Sequence, residues 1–498
     1  MGDEPSTIVG RIRSLGRRQS TVRYNTKGDK EAAKKREHEE AVKEYLTSDF
    51  VFRVKADTNF KLSNTDQLLR RREATGGRCR MPQMRSRQKP QLMQRYLPLE
   101  GVKQADYQGH RIYSGTFSAD GNTFVAALQD RRIRVYDSSE ASLKHLKDIE
   151  AKEFRWTITD TDISHDGRHL LYSSICNTVY MCNLSSYDKT RHEALDMSSP
   201  GDMGYRVHFG IWSARFSDDA REIVAGSSDS AIYVYDVERK QPILRLNAHT
   251  DDINSVAWAD RSSHIIYSAS DDALCKVWDR RMLGSSMKPA GVLPGHQHGL
   301  TFVSSRGDGR YLVTNSKDQT LKLWDIRKMM DSDFVDKHPV PKLFQDFDYR
   351  WMEYPGLAAE RKGHVLPKHP HDCSVQTFRG HSVHQTLIRC YFSPLSMTGQ
   401  RYIVSGSHDG YIYLYDVLGD PKKPIRLVHN SPEEREPVRD VAWHPERPWL
   451  VSVGWDGAIM SRDQCSSSLL NREGTMDSPG REYGQVKTEF HPRMSDVL

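Results

Sequence analysis

The chain has 498 residues, 37% of them hydrophobic and 28% charged, which excludes a single small core and fits several domains or one large repeat array with appendages. Its formal net charge of +6 is uneven: residues 1–100 hold 23 Lys and Arg against 13 Asp and Glu, so the basic character belongs to the N-terminal segment. No run approaches 18 consecutive apolar residues and the N-terminus lacks the apolar core of a secretory leader, so an intracellular chain without membrane association, nuclear and/or cytoplasmic, is expected.

Residues 1–95 have few apolar clusters, Arg pairs at Arg17-Arg18 and Arg70-Arg71, and a stretch from Gly76 to Arg95 rich in Arg, Gln, Met and Pro. Such composition cannot bury enough surface to offset ordering entropy, so a basic, mostly disordered arm is expected. Within it, Ala33, Ala41, Val42, Tyr45 and Leu46 recur at roughly helical spacing, which predicts a short helix over 30–46. The start Met1-Gly2-Asp3-Glu4-Pro5-Ser6 fits an acylation pattern, but Asp3 and Glu4 oppose anionic lipid, and the match is read as coincidence. The basic run Arg78 to Arg95 lacks the interleaved aromatics that stack on bases, so nucleic-acid binding is not expected; a solvated linker or a nuclear address fits it better.

From about residue 96 the texture changes to short runs of Val, Ile, Tyr and Ser, each closed by an Asp-containing turn and an aromatic-Asp pair. The endings are Tyr136-Asp137, Cys182-Asn183, Tyr235-Asp236, Trp278-Asp279, Trp324-Asp325, Tyr415-Asp416 and Arg462-Asp463, spaced by 46, 53, 43, 46, 91 and 47 residues. That is the period of a four-stranded propeller blade, with one insertion. An Asp lies six residues before the ending in six units, at Asp130, Asp229, Asp272, Asp318, Asp409 and Asp456; the second unit has Cys176 there. Gly109-His110, Ala248-His249, Gly295-His296 and Gly380-His381 open several units. The prediction is an all-β, seven-bladed propeller over 96–465, with a C-terminal tail at 466–498.

These residues resemble the WD-repeat family of β-propellers. The resemblance implies that His249, Ser268, Asp272 and Trp278 form a linked set in the fourth blade, and His296, Thr314, Asp318 and Trp324 in the fifth, with His381 and Asp409 as the corresponding blade residues in the sixth. A catalytic Ser-His-Asp reading fails because the set repeats around the ring. The resemblance also implies that about Tyr96 to Tyr107 supplies the outer strand of the last blade. The second and seventh units, which depart from aromatic-Asp, are its weakest matches.

The long interval between Asp325 and Asp416 is expected to hold an insertion over 328–379, between the fifth and sixth blades, read as a solvated loop. His369, His371 and Cys373 within it are too few, among prolines, to make a metal site. The seven cysteines are odd in number and lack CxxC spacing, so reduced thiols are expected rather than a disulfide framework or a zinc ribbon. Neither a phosphate loop, an HExxH helix nor a GxSxG elbow is present, so no cofactor and no enzymatic activity are expected.

Two consecutive units end in Trp-Asp-x-Arg: Trp278-Asp279-Arg280-Arg281 and Trp324-Asp325-Ile326-Arg327. Equal offsets from equivalent strands should bring Arg281 and Arg327 side by side on one face of the ring. This doubled pattern resembles the substrate receptors of cullin-4 RING ubiquitin ligases, and the run from Gly380-His381-Ser382-Val383-His384 to Phe392-Ser393-Pro394 is similar to the group of WD repeat-containing protein 23 and its plant relatives. The resemblance implies a non-catalytic receptor in which Trp278, Asp279, Arg281, Trp324, Asp325 and Arg327 dock on the damage-specific DNA-binding protein 1 adaptor while another surface captures an unidentified protein substrate. It also allows a second adaptor contact by the segment at 30–46. The alternatives are a general WD-repeat scaffold for a nuclear or RNA-processing complex, and a propeller enzyme.

Overall fold

A computed structural model describes residues 97–140, 142–153, 156–184, 191–198, 209–284, 287–362, 366–430 and 435–463; the basic arm, the helix expected at 30–46 and the tail lie outside the described residues. The described chain folds into seven four-stranded antiparallel sheets. Blades 1 to 6 span 112–150, 158–196, 211–247, 253–293, 300–378 and 390–428, and blade 7 combines 438–463 with the earlier strand Glu100–Tyr107. The first strand of each blade contacts that of the next, and blade 1 meets blade 7, so the circuit closes.

Strand composition explains the stacking. Ala231–Asp236 is buried at every position but its last, because both faces of a blade pack against neighbours. The apolar clusters accordingly straddle pairs of blades: Phe302 and Tyr311 of blade 5 pack with Cys390 and Tyr413 of blade 6. Burial of each such side chain contributes about 1.5–3 kcal/mol.

All seven predicted endings coincide with the end of a third strand, including Asn183 of Thr178–Asn183 and Asp463 of Ala458–Asp463. The Asp six residues earlier lies in the turn between second and third strands. Asp272 Oδ1 accepts from Leu274 N at 2.9 Å and Asp318 Oδ1 from Thr320 N at 3.0 Å. The following residue takes a left-handed conformation in all six units, at Arg131, Ser230, Ala273, Gln319, Gly410 and Gly457. Only blades 6 and 7 place there the residue for which that conformation is free of Cβ strain.

The clasp forms as expected. Glu100–Tyr107 runs antiparallel to Ala458–Asp463, with Tyr107 opposite Ala458, so the last blade is completed by chain that precedes the first. No helix among the described residues is long and apolar enough to cross a membrane.

The insertion differs from its sequence reading. It interrupts blade 5 rather than joining blades 5 and 6, since Gln376–Phe378 is the fourth strand of blade 5, paired with Leu321–Asp325. It also carries two short helices, α1 (Ser332–Lys337) and α2 (Pro355–Arg361), and docks on the ring. Met330 bridges to Val292 on the outer strand of blade 4, Lys342 Nζ reaches Asp251 at 3.4 Å, and Tyr349 O accepts from Gln385 N at 2.9 Å. Phe347 and Tyr354 are buried, so the segment is a packed arch rather than a solvated loop.

Candidate functional site

Strand direction divides the chemistry between two faces. Successive strands of a blade alternate in direction, so every first strand begins, and every second-to-third turn lies, at one mouth of the ring. Every third strand ends at the opposite rim.

The polar sets lie between the strands at the first mouth. His249 Nδ1 is 2.7 Å from Asp272 Oδ2 and its Nε2 is 2.7 Å from Ser268 Oγ, which also accepts from Trp278 Nε1 at 3.0 Å. Blade 5 repeats this with His296, Asp318, Thr314 and Trp324, at 3.0, 2.7 and 2.7 Å. The His249 side chain and Ser268 are fully buried, so no substrate reaches this serine; the set holds two strands and a turn together.

Blade 6 departs from the pattern. His381 does not pair with Asp409: its Nδ1 is 2.8 Å from the Tyr415 hydroxyl and its Nε2 is 2.7 Å from Asn315 Oδ1 of blade 5. Asp409 instead accepts from the Tyr413 hydroxyl at 2.6 Å. The cause is the residue in the Trp place, because Tyr415 carries a hydroxyl at the far end of its ring and itself meets the histidine. Blade 7 holds a set that sequence reading missed: His429 Nδ1 is 2.8 Å from Ser452 Oγ and Nε2 is 3.3 Å from Asp456 Oδ1. Its signal was the spacing to Asp456, hidden because Val428 precedes it where other blades have Gly or Ala.

At the opposite rim the two Trp-Asp-x-Arg endings build the same local structure. Each Asp caps a single 3-10 turn, Arg280–Met282 or Ile326–Lys328, by accepting the main-chain N–H of Arg281 at 3.0 Å or of Arg327 at 3.1 Å. The same carboxylates hold the guanidinium groups, Arg281 Nη2 at 2.7 Å from Asp279 and Arg327 Nη2 at 2.9 Å from Asp325. The bonds from Arg281 draw the Asp279 carboxyl below the ordinary range and raise the guanidinium. Trp278 and Trp324 are buried beneath the two turns.

Both arginine side chains stay more than half exposed while clamped at their carboxylates, with 60% and 57% of their surface accessible. Fixed orientation with an open outer edge is what a guanidinium needs to donate to a partner at low entropic cost. The supports differ in detail. Asp325 also accepts from Arg310 at 2.8 Å, whereas Arg280 turns to Glu222 of blade 3 at 2.9 Å. Met282, 73% exposed, lies beside Arg281.

The first mouth is a funnel of about 840 Å³ whose walls come from the inner strands and from the arch. Buried charges link the inner strands: Arg389 Nη1 is 3.1 Å from Asp440 of blade 7, and its Nη2 is 2.9 Å from Asp160 of blade 2. In the arch, His369 Nδ1 accepts from His371 N at 3.1 Å, and Cys373 Sγ donates to Pro294 O. Burial draws the His369 imidazole down to about 4. Among the described residues no group of three or more His, Cys, Asp or Glu side chains is placed to hold a metal ion.

Comparison with known proteins agrees with this architecture. The family "WD domain, G-beta repeat" matches residues 101–137, 203–236, 240–279, 287–325, 372–416 and 425–461, passing over blade 2, whose third strand ends in Cys182-Asn183. The LEC14B homolog of Prunus armeniaca is 47% identical over 376 residues, covering 74% of this chain and 75% of that protein. The DDB1- and CUL4-associated factor 11 homolog of Caenorhabditis briggsae is 33% identical over 386 residues, covering 76% and 67%. That of Caenorhabditis elegans is 37% identical over 364 residues, covering 71% and 61%. The chain belongs to the WD-repeat family that contains the LEC14B proteins and the DDB1- and CUL4-associated factor 11 homologues.

Proposed function

We propose that this protein is a non-catalytic substrate receptor of a cullin-4 RING ubiquitin ligase, docking on the damage-specific DNA-binding protein 1 adaptor through the rim that carries Arg281 and Arg327. The observation that carries the reading is the duplicated turn: the third strands of two adjacent blades end in the same Asp-capped 3-10 turn with the same clamped arginine, more than half exposed. The names of the nematode relatives, which associate those proteins with DDB1 and CUL4, support it.

In this reading the ring supplies proximity rather than chemistry. One face binds the adaptor, the other faces a protein substrate, and tethering raises the effective concentration of target lysines near the conjugating enzyme. The work takes place in the nucleus and/or the cytoplasm. The general-scaffold alternative has no feature of its own comparable to the paired turns.

The test is recovery of the adaptor with the full chain from cells, compared with the double variant Arg281→Ala, Arg327→Ala. A soluble double variant with an unchanged unfolding midpoint is expected to recover little adaptor. Undiminished recovery rejects the reading.

A further inference from the structure

The funnel at the mouth opposite the twin arginines holds charge that the ring's own packing leaves unmatched. On the side of blades 4 and 5 each cation has a carboxylate: Lys317 meets Asp271 at 2.6 Å, Lys342 meets Asp251 at 3.4 Å, and Arg350 of the arch meets Asp348 at 2.7 Å. Blades 7 and 1 offer the reverse. Arg439 is 6% exposed, lies 4.8 Å over the Tyr113 ring, and has one long hydrogen bond, 3.4 Å from Nε to Leu387 O. Arg111 lies at the rim, 4.1 Å over the Trp455 ring. Among the described residues no carboxylate comes within ion-pair distance of either guanidinium. The adjacent Asp440 is occupied by Arg389 and by Gly115 N.

A guanidinium taken out of water without a carboxylate is costly to keep, and the site registers the deficit. Burial, then the neighbouring Arg389, draws the Arg439 guanidinium down to about 10. The same funnel is edged by two large aromatic side chains that the fold does not cover, Trp156 at 67% and Trp351 at 82% exposed. Arg and Trp are among the residue types enriched in the few side chains that carry most of the binding energy at protein interfaces.

We propose that this mouth receives an acidic peptide segment, with Arg439 and Arg111 on the side of blades 7 and 1 bonding its carboxylates and Trp156 and Trp351 at the funnel's edge covering the apolar residues beside them. The assignment rests on the receptor reading for the identity of the peptide, a segment of the protein to be ubiquitinated, but not for the existence of the site. A polyanion fits less well. Nucleic acid needs a continuous track of cations, whereas here Asp251, Asp252 and Asp346 line the facing wall of the same funnel. A short segment with local negative charge avoids that wall.

Panning the full chain against a phage library of randomised peptides tests the assignment. Recovered peptides are expected to be rich in Asp and Glu, and a synthetic peptide of their consensus is expected to bind Arg111→Gln and Arg439→Gln about tenfold more weakly or worse. Arg111 is exposed, so its substitution reports on binding even if the buried Arg439→Gln protein folds poorly. Peptides without acidic bias, equal binding by Arg111→Gln, or equal competition by polyuridylate overturns the proposal. The Arg281→Ala, Arg327→Ala variant is expected to bind the peptide normally. Intact peptide binding without adaptor recovery in the wild type therefore removes the ligase reading alone, and intact adaptor recovery without acidic peptides removes this one alone.

Discussion

Arg389, which leads into the first strand of blade 6, donates to Asp160 on the first strand of blade 2 at 2.9 Å, so the ring is tied across its axis and not only between neighbours. The same guanidinium reaches Asp440 of blade 7 and Ser114 of blade 1. Arg215 approaches Asp160 from blade 3 at 3.1 Å. Replacing Arg389 by Met leaves buried Asp440 without a cation and Asp160 with Arg215 alone, a break that costs about 3–5 kcal/mol. Chemical denaturation of Arg389→Met is expected to show a loss of that order, partly recovered when Asp440→Asn is added. A loss under ~1 kcal/mol, the scale of an exposed pair, contradicts the role assigned to this crossing.

The stapling sets differ in how many groups depend on the central hydroxyl. Thr314 Oγ1 serves both His296 and Trp324, while Ser452 Oγ serves His429 alone, since Arg462 stands in the Trp place of blade 7. Thr314→Val keeps the shape and leaves two buried polar atoms unsatisfied, at about 1–3 kcal/mol each. Ser452→Ala leaves one. Thr314→Val is therefore expected to lower the unfolding free energy more than Ser452→Ala, and equal losses contradict the shared bond.

What the sequence made legible was whatever repeats locally. All seven third-strand endings, Asn183 and Asp463 among them, were found because each blade must stop the same strand after the same turn. The clasp was legible only through resemblance, since nothing in Glu100–Tyr107 itself says which blade it joins. The arch was misread as solvated because its anchors, Asp251 for Lys342 and Gln385 for Tyr349, lie far away in the chain and follow no period. Arg389 stayed invisible for the same reason, its partner Asp160 being 229 residues distant. At the candidate adaptor rim the Trp-Asp-x-Arg spacing announced the arginines. That each is clamped by its own Asp, with Asp325 shared by Arg310, needed coordinates.

Buried histidines should make the ring sensitive to acid. His381 is buried, and because Asn315 Oδ1 can only accept, Nε2 carries the proton and Nδ1 accepts from the Tyr415 hydroxyl. Burial draws its pKa down to about 4, as it does for His298 and His444. An unfolded histidine takes its proton near ~6.5, so on acidification the unfolded chain is protonated first. The histidine contribution is whole above about pH 6.5, falls between there and about pH 4, and levels below. His381→Gln is expected to flatten that slope by up to one proton, on the order of 3 kcal/mol across the window. Parallel pH profiles for variant and wild type refute the assignment.

Position 273 carries strain that substitution can release. Ala273 follows Asp272 at φ 72°, the conformation that blades 6 and 7 fill with Gly410 and Gly457. The left-handed region costs a residue with a Cβ about 1–2 kcal/mol, and the extra freedom of glycine in the unfolded chain takes back about 0.4–1. Ala273→Gly is expected to leave the fold intact and raise its stability by up to ~1.6 kcal/mol. A clear loss of stability by calorimetry counts against the strain.

The clasp strand does more than complete a sheet. Asp106 accepts from the Tyr136 hydroxyl at 2.7 Å and from Arg134 Nη1 at 3.1 Å, so Glu100–Tyr107 ties blade 7 to blade 1 where the chain closes on itself. Leu97 and Leu99, just before it, pack on the cluster of Trp443 and Tyr402 between blades 6 and 7. A chain starting at residue 97 is therefore expected to keep the cooperative unfolding of the ring. A chain starting at residue 108 leaves the edge of Ala458–Asp463 unpaired and the Tyr136 hydroxyl without its acceptor, and an open edge recruits other chains. It is expected to aggregate or unfold at lower temperature, while Asp106→Ala alone costs about 1–3 kcal/mol. A monomeric 108–498 chain melting with the wild type shows that the ring closes without its clasp.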